Sequence, residues 1–186
     1  MISAANKIFP EPVAGENVGN VFSQHREALE WLANFLIGDE RIAAACLVDA
    51  GALAESENPG FQDWLSEWVC LATIRSAAQI QQRRIAQLAS TYKQRSCIHG
   101  GHRALSSDWQ EILVEESNIL IARLDVLCRF ALVICGLEKR SAHEAALLLG
   151  VDETCVEGAY CAAIKFLEVV GCEQFQRQND LAAVFN

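Results

Sequence analysis

From Ser23 onward the apolar residues recur with a helical period. In HREALEWLANFLIGD, Leu29, Leu32, Phe35 and Leu36 share one face, and Gly38 stops the run, which predicts a first amphipathic helix. Asp39 is placed to cap a second, ERIAAACLVDAGALAES, with Ile42, Cys46, Leu47 and Ala50 as its apolar stripe and the Asn58-Pro59-Gly60 turn behind it. A long third helix begins near Phe61, turns Trp64, Leu65, Trp68, Leu71 and Ala72 toward a core or its rim, and continues through Ile85 and Leu88. The alanines of the second helix predict close packing on its neighbours.

The second half repeats the pattern. Asp108 and Glu111 form a candidate capping box for WQEILVEESNILIARLDVLCRFALVIC, which is long enough to be two helices. Gly136 is expected to end it, Ser141 to cap a short helix, and Gly150-Val151-Asp152 to turn the chain into a last helix opening at Glu153 or Thr154. On that helix Val156, Tyr160, Ala163, Ile164 and Leu167 form one stripe, and Thr154, Gly158, Cys161, Lys165 and Glu168 lie opposite. The expected fold is all-α. Two helical bundles, residues 23–90 and 108–170, are joined by a flexible linker over 91–107, with a mobile arm at 1–22 and a tail over 171–186.

Composition adds constraints. At 186 residues and 52% hydrophobic the chain can bury cores, yet no apolar run is long enough to span a bilayer. The N-terminus has no basic start followed by an apolar segment, so a cytoplasmic protein is expected. Its eight cysteines sit mostly inside apolar helical patterns without a CxxC spacing, which favours small buried hydrophobes over a disulfide scaffold. Cys97, His99 and His102 are the one ligand-like cluster. They lack a fourth partner at a zinc spacing, so the segment is read as a linker and no metal or cofactor is assigned.

The net charge of −9 argues against indiscriminate nucleic-acid coating, but the distribution is uneven. Arg75, Arg83, Arg84, Lys93, Arg95 and Arg103 form a stretch free of Asp and Glu. A short helix, a glycine turn and a longer helix make a helix-turn-helix pattern. Between Ser141 and Val170, however, Lys165 is the sole cation against Glu144, Asp152, Glu153, Glu157 and Glu168. If nucleic acid is bound, the basic stretch therefore carries more of the affinity than the last helix, because only it neutralises several phosphates.

Glu144-Ala145-Ala146, Leu149-Gly150-Val151 and Thr154-Cys155-Val156, followed by Ala163 and Leu167, resemble domain four of bacterial sigma factors of the extracytoplasmic-function group. The helix ending in Gly38-Asp39, the Ala-rich helix, then Phe61, Trp64-Leu65 and Arg83-Arg84 resemble domain two of the same group. The resemblance implies a transcription regulator that binds RNA polymerase core, through the helix bearing Asp49, and promoter DNA, through Arg75, Arg83, Arg84, Lys93, Arg95, Thr154 and Lys165. It also leaves room for an anti-sigma or other regulatory protein. The second reading is a sigma-derived interaction module that has lost promoter recognition. No glycine-rich phosphate loop, HExxH, GxSxG or Cys/His pair with an orienting acid is present, so an enzyme is not expected.

Overall fold

The computed structural model describes residues 17–57, 64–93 and 117–184, with the backbone alone for Ser117 and for 171–184. Among the described residues the protein is all-helical, with no strand and no helix long and apolar enough to cross a membrane. The helices are α1 (Val18–Gln24), α2 (Arg26–Ile37), α3 (Glu40–Ser56), α4 (Leu65–Tyr92), α5 (Ser117–Arg123), α6 (Val126–Ala131), α7 (Ala142–Leu149) and α8 (Glu153–Val184). A π-helical segment, Leu132–Leu137, follows α6.

Local signals explain most of the boundaries. Asn17 Oδ1 accepts from Asn20 N at 2.9 Å and starts α1 at Val18, inside the stretch read as an arm. Val18 and Val21 are buried there, which ties the segment down. Asp39 caps α3 through Ile42 N at 3.0 Å, and Asp125 caps α6 through Cys128 N at 2.9 Å, splitting the long second-half helix in two. Ser141 and Glu144 form a reciprocal capping box on α7, and Gly150 ends it in the left-handed conformation. Gly136 does not terminate its helix. It lies buried within the π-helical segment, and the left-handed residue of that connection is Lys139, φ 57°. Gly171 does not end α8 either, whose backbone continues to Val184.

Burial corrects two faces. Cys46 and Ala50 point inward as expected, but Ile42 is 44% exposed, and the inner stripe of α3 is Ala43, Cys46, Ala50 and Ala54. These small residues let α3 lie close enough to α4 for direct polar contact: Ser76 Oγ donates to the Cys46 carbonyl at 3.2 Å. Trp64, expected at the core or its rim, is 64% exposed, whereas Trp68 is half-buried and donates its indole N–H to the Ala54 carbonyl at 3.1 Å.

The largest core draws on α2, α3 and α4 and equally on α6, the π-helical segment, α7 and α8. The segments expected as separate bundles thus share one interior. α4 is its spine, supplying Cys70, Ile74, Ala77, Ile85 and Tyr92 along its length. A smaller cluster of Val18, Val21, Leu29, Ala54, Leu65, Val69 and Ala72 closes the far end. Residues 94–116, which take in most of the expected 91–107 linker and the Asp108–Glu111 box behind it, lie outside the described residues, as do Asn58-Pro59-Gly60 and Phe61.

Two glycines with the same backbone conformation separate local strain from tertiary packing. Gly38 (φ 76°) and Gly150 (φ 66°) are both left-handed, but a Cβ on Gly38 would lie 3.0 Å from Arg129 Nη1, whereas one on Gly150 meets nothing within 4 Å. Gly150→Ala is expected to cost about 1 kcal/mol, the ordinary strain of a left-handed alanine. Gly38→Ala should cost at least twice as much in urea denaturation, because a buried guanidinium must also move; equal losses would show that Arg129 does not constrain this turn.

Candidate nucleic-acid and partner interface

The basic stretch is carried by α4, but its cations do not form one stripe. At 100° per residue Arg83 stands about 80° from Arg75, and Arg84 lies on the opposite side from Arg75. Arg75 is half-buried and its Nη1 pairs with Glu57 Oε2 at 2.8 Å. Lys93 Nζ pairs with Asp152 Oδ2 at 2.8 Å, across to the turn that opens α8, and this contact raises its pKa. Arg83 and Arg84 are exposed and form no ion pair among the described residues. Two of the expected phosphate ligands therefore already hold carboxylates, and two are open. Arg95, Cys97, His99 and His102 lie outside the described residues. Among those described, no group of three or more His, Cys, Asp or Glu could hold a metal ion.

On α8, Val156, Ala163 and Leu167 are fully buried and Tyr160 nearly so, as the apolar stripe requires. Opposite them only the ends of the expected reading face are open. Thr154 and Lys165 are exposed and eleven residues apart, about 16 Å along the axis. Between them Gly158 is buried, and Cys161 is half-buried and disulfide-bonded. That bond is an exception to the reading of the cysteines as reduced hydrophobes. Cys46, Cys70, Cys128, Cys135 and Cys155 are reduced and buried, as that reading expects. Glu157, at the margin of this face, is exposed next to Gly158, so the open positions here are one hydroxyl, one ammonium and one carboxylate side chain. Asp49, the expected polymerase contact, is exposed on α3 beside Val48, itself 73% exposed.

The structure places together a group that residue-by-residue reading missed. At the C-terminal end of α4 the Tyr92 hydroxyl donates to Asp125 Oδ2 and lies 3.0 Å from Cys128 Sγ. One turn earlier the Ala89 carbonyl accepts from Cys155 Sγ at 3.1 Å. The next residue after Cys128 is Arg129, 5% exposed, whose Nη1 donates to the Phe35 carbonyl at 2.6 Å near the end of α2. Burial lowers the Arg129 pKa, and the charge of Arg84 lowers it further, against the opposing pull of Asp125. Asp125, three residues before Cys128 and followed by an apolar run, was recognisable as a helix cap; its second partner, Tyr92, was not, being 33 residues away across the linker.

Comparison with protein-family models, with curated proteins and with solved structures finds no match. The chemistry of the surface therefore rests on these residues alone. It offers two open arginines on α4, an acidic margin on α8 and a partly apolar outer face on α3.

Burial pushes Tyr92 well above its ordinary value of 10.0, the hydrogen bond to Asp125 adding to the effect, and pushes Tyr160 up to about 12 and Cys135 up to about 11. Each group ionises earlier in the unfolded chain than in the folded one, so the stability it contributes is intact below the unfolded value and is lost as pH rises beyond it. The urea midpoint should fall from about pH 9 upward as the thiols and then the phenols ionise. Tyr92→Phe should flatten this loss above pH 10 while lowering the neutral-pH midpoint; an unchanged alkaline slope would show that Tyr92 is not held protonated by its burial beside Asp125.

Proposed function

We propose that the protein is a sigma-factor-like transcription regulator, acting in initiation through RNA polymerase and promoter DNA. The observation that carries this reading is the order of elements: an amphipathic helix, an Ala-rich helix and a helix with exposed Arg83 and Arg84, then a capped short helix, a glycine turn and a long helix. In this reading α7, Gly150 and α8 act as the helix-turn-helix, and α3 with Asp49 faces the polymerase. Arg83 and Arg84 supply the phosphate contacts, since Arg75 and Lys93 are engaged by Glu57 and Asp152. A regulatory protein of the anti-sigma kind remains a natural partner.

A second reading is supported by the surface of α8. With Gly158 buried, Cys161 bonded and Glu157 exposed, the helix has few groups that donate to base edges and a carboxylate where phosphate would lie. In that reading the chain is a sigma-derived interaction module that meets polymerase or another protein without reading a promoter.

One pair of measurements separates the two. The purified full chain is tested for retention of polymerase core, and the resulting complex for binding of a duplex library at physiological salt. The first reading expects retention of polymerase and a selected duplex, with Arg83→Glu/Arg84→Glu weakening DNA binding at least tenfold and Lys165→Ala changing it little. Retention of polymerase without any selected duplex supports the second, and failure to retain polymerase overturns the first.

A further inference from the structure

Cys161 is set apart from the other described cysteines. Cys46, Cys70, Cys128, Cys135 and Cys155 are reduced and buried, and burial pushes the thiols of Cys46, Cys70 and Cys135 up, away from the thiolate that redox chemistry needs. Cys161 is only half-buried, on the outer side of α8, and it is disulfide-bonded. One bonded cysteine open in part to solvent, beside five protected thiols, is the pattern of a selective redox couple rather than of a disulfide scaffold.

Chain length and helix geometry identify the partner. With five of the eight cysteines free, Cys97 and Cys172 are left. Cys172 follows Cys161 on the same continuous helix, ~16 Å along the axis, whereas bonded cysteines have Cα atoms within about 7 Å, so that pair cannot form. Cys97 lies outside the described residues, but described contacts set its reach. Lys93 Nζ pairs with Asp152 Oδ2 at 2.8 Å, and Cys155 Sγ donates to the Ala89 carbonyl at 3.1 Å, so the C-terminal end of α4 lies against the start of α8. From Asp152 to Cys161 is ~14 Å along α8, and the chain from Lys93 to Cys97 spans up to ~14 Å when extended, which brings Cys97 within reach of Cys161.

We propose that Cys161 is a redox switch on the outer face of α8, its disulfide to Cys97 opened by a dithiol reductant and closed again by the disulfide form of that reductant. In the opening step a thiolate of the reductant attacks one sulfur of the pair and displaces the other as a thiolate, and the second thiol of the reductant then resolves the mixed disulfide. The two cysteines take up two electrons and two protons, and the dithiol leaves as its own disulfide. Closed, the bond ties the connection between the two halves to α8 and removes conformational freedom from the unfolded chain. Opened, it returns a thiol to the middle of the face between Thr154 and Lys165, so the redox state of the surroundings sets what that face presents. The switch does not depend on whether the face meets DNA or a protein.

The test uses the full chain. Proteolysis without reductant, followed by mass spectrometry, should recover a crosslinked peptide pair holding Cys97 and Cys161, and dithiothreitol should abolish it. In the reduced native protein, iodoacetamide should label Cys161 and Cys97 at least tenfold faster than the five buried cysteines. Reduction should lower the melting temperature by about 5–10 °C, the loss expected when a loop of this length is opened. Cys161→Ser and Cys97→Ser should each remove that redox dependence, and Cys172→Ser should keep it. A crosslink from Cys161 to Cys172 or to a second copy of the chain, a melting temperature of the parent chain indifferent to reduction, or labelling of Cys161 no faster than that of the buried cysteines would each overturn the proposal.

Discussion

One hydrogen bond, from the Arg129 guanidinium to the Phe35 carbonyl, joins residues 94 positions apart and sets how the two halves of the chain meet. Burying a guanidinium costs solvation, and here Nε finds no partner among the described residues, so the group is not there because it is the cheapest filling for the space. What it provides is direction. A donor fork reaching the last turn of α2 satisfies a carbonyl that the helix leaves unpaired at its end, in a position that only one approach of α6 allows. Gly38 is the complementary condition, since its missing Cβ leaves the room that Nη1 occupies. Around this contact Phe35 stacks on Trp31 with ring centroids 5.3 Å apart, and the apolar cluster closes over both.

The second end of the joint is polar for a different reason. Asp125 has to be there to cap α6, and a capping carboxylate has a second oxygen to satisfy. Tyr92 supplies that donor from α4, Cys155 donates to the same turn of α4 from α8, and Lys93 reaches Asp152 just outside. The C-terminal end of α4 is thereby held from three directions. This placement bears on function directly, because it fixes α4 relative to α7 and α8 and leaves Arg83 and Arg84, unlike Arg75 and Lys93, without an ion pair among the described residues.

Where periodicity was strong and capping residues were present, the chain could be read without a structure. The α2 face, the Asp39 cap, the Ser141 cap, the Gly150 terminator and most of the buried stripe of α8 all follow from patterns spanning fewer than about a dozen residues. The errors have physical causes too. Ile42 outranks Ala43 in hydrophobicity, but α3 packs by closeness, which favours the alanine side of the helix. Gly136 looked like a terminator because glycine usually is one; inside a buried π-helical segment it is accommodated by its small size instead. The charged residues were the least legible. Arg75, Lys93 and Arg129 look alike in a sequence, yet one pairs with Glu57, one spans to Asp152 and one is buried against a backbone carbonyl, each through a partner at least 18 positions away.

A single shared core held by Arg129 implies that neither half is stable without the other. The direct test is urea denaturation of the full chain followed by two probes: the fluorescence of Trp31 and Trp68, kept as the only tryptophans, for the first half, and a fluorophore on an introduced cysteine at exposed Lys165 for the second. The account predicts coincident single transitions, and a common downward shift of both by roughly 2–4 kcal/mol in Arg129→Ala, the cost of a cavity plus an orphaned carbonyl. Two separated transitions in the parent chain, or a shift confined to one probe in the variant, would contradict it.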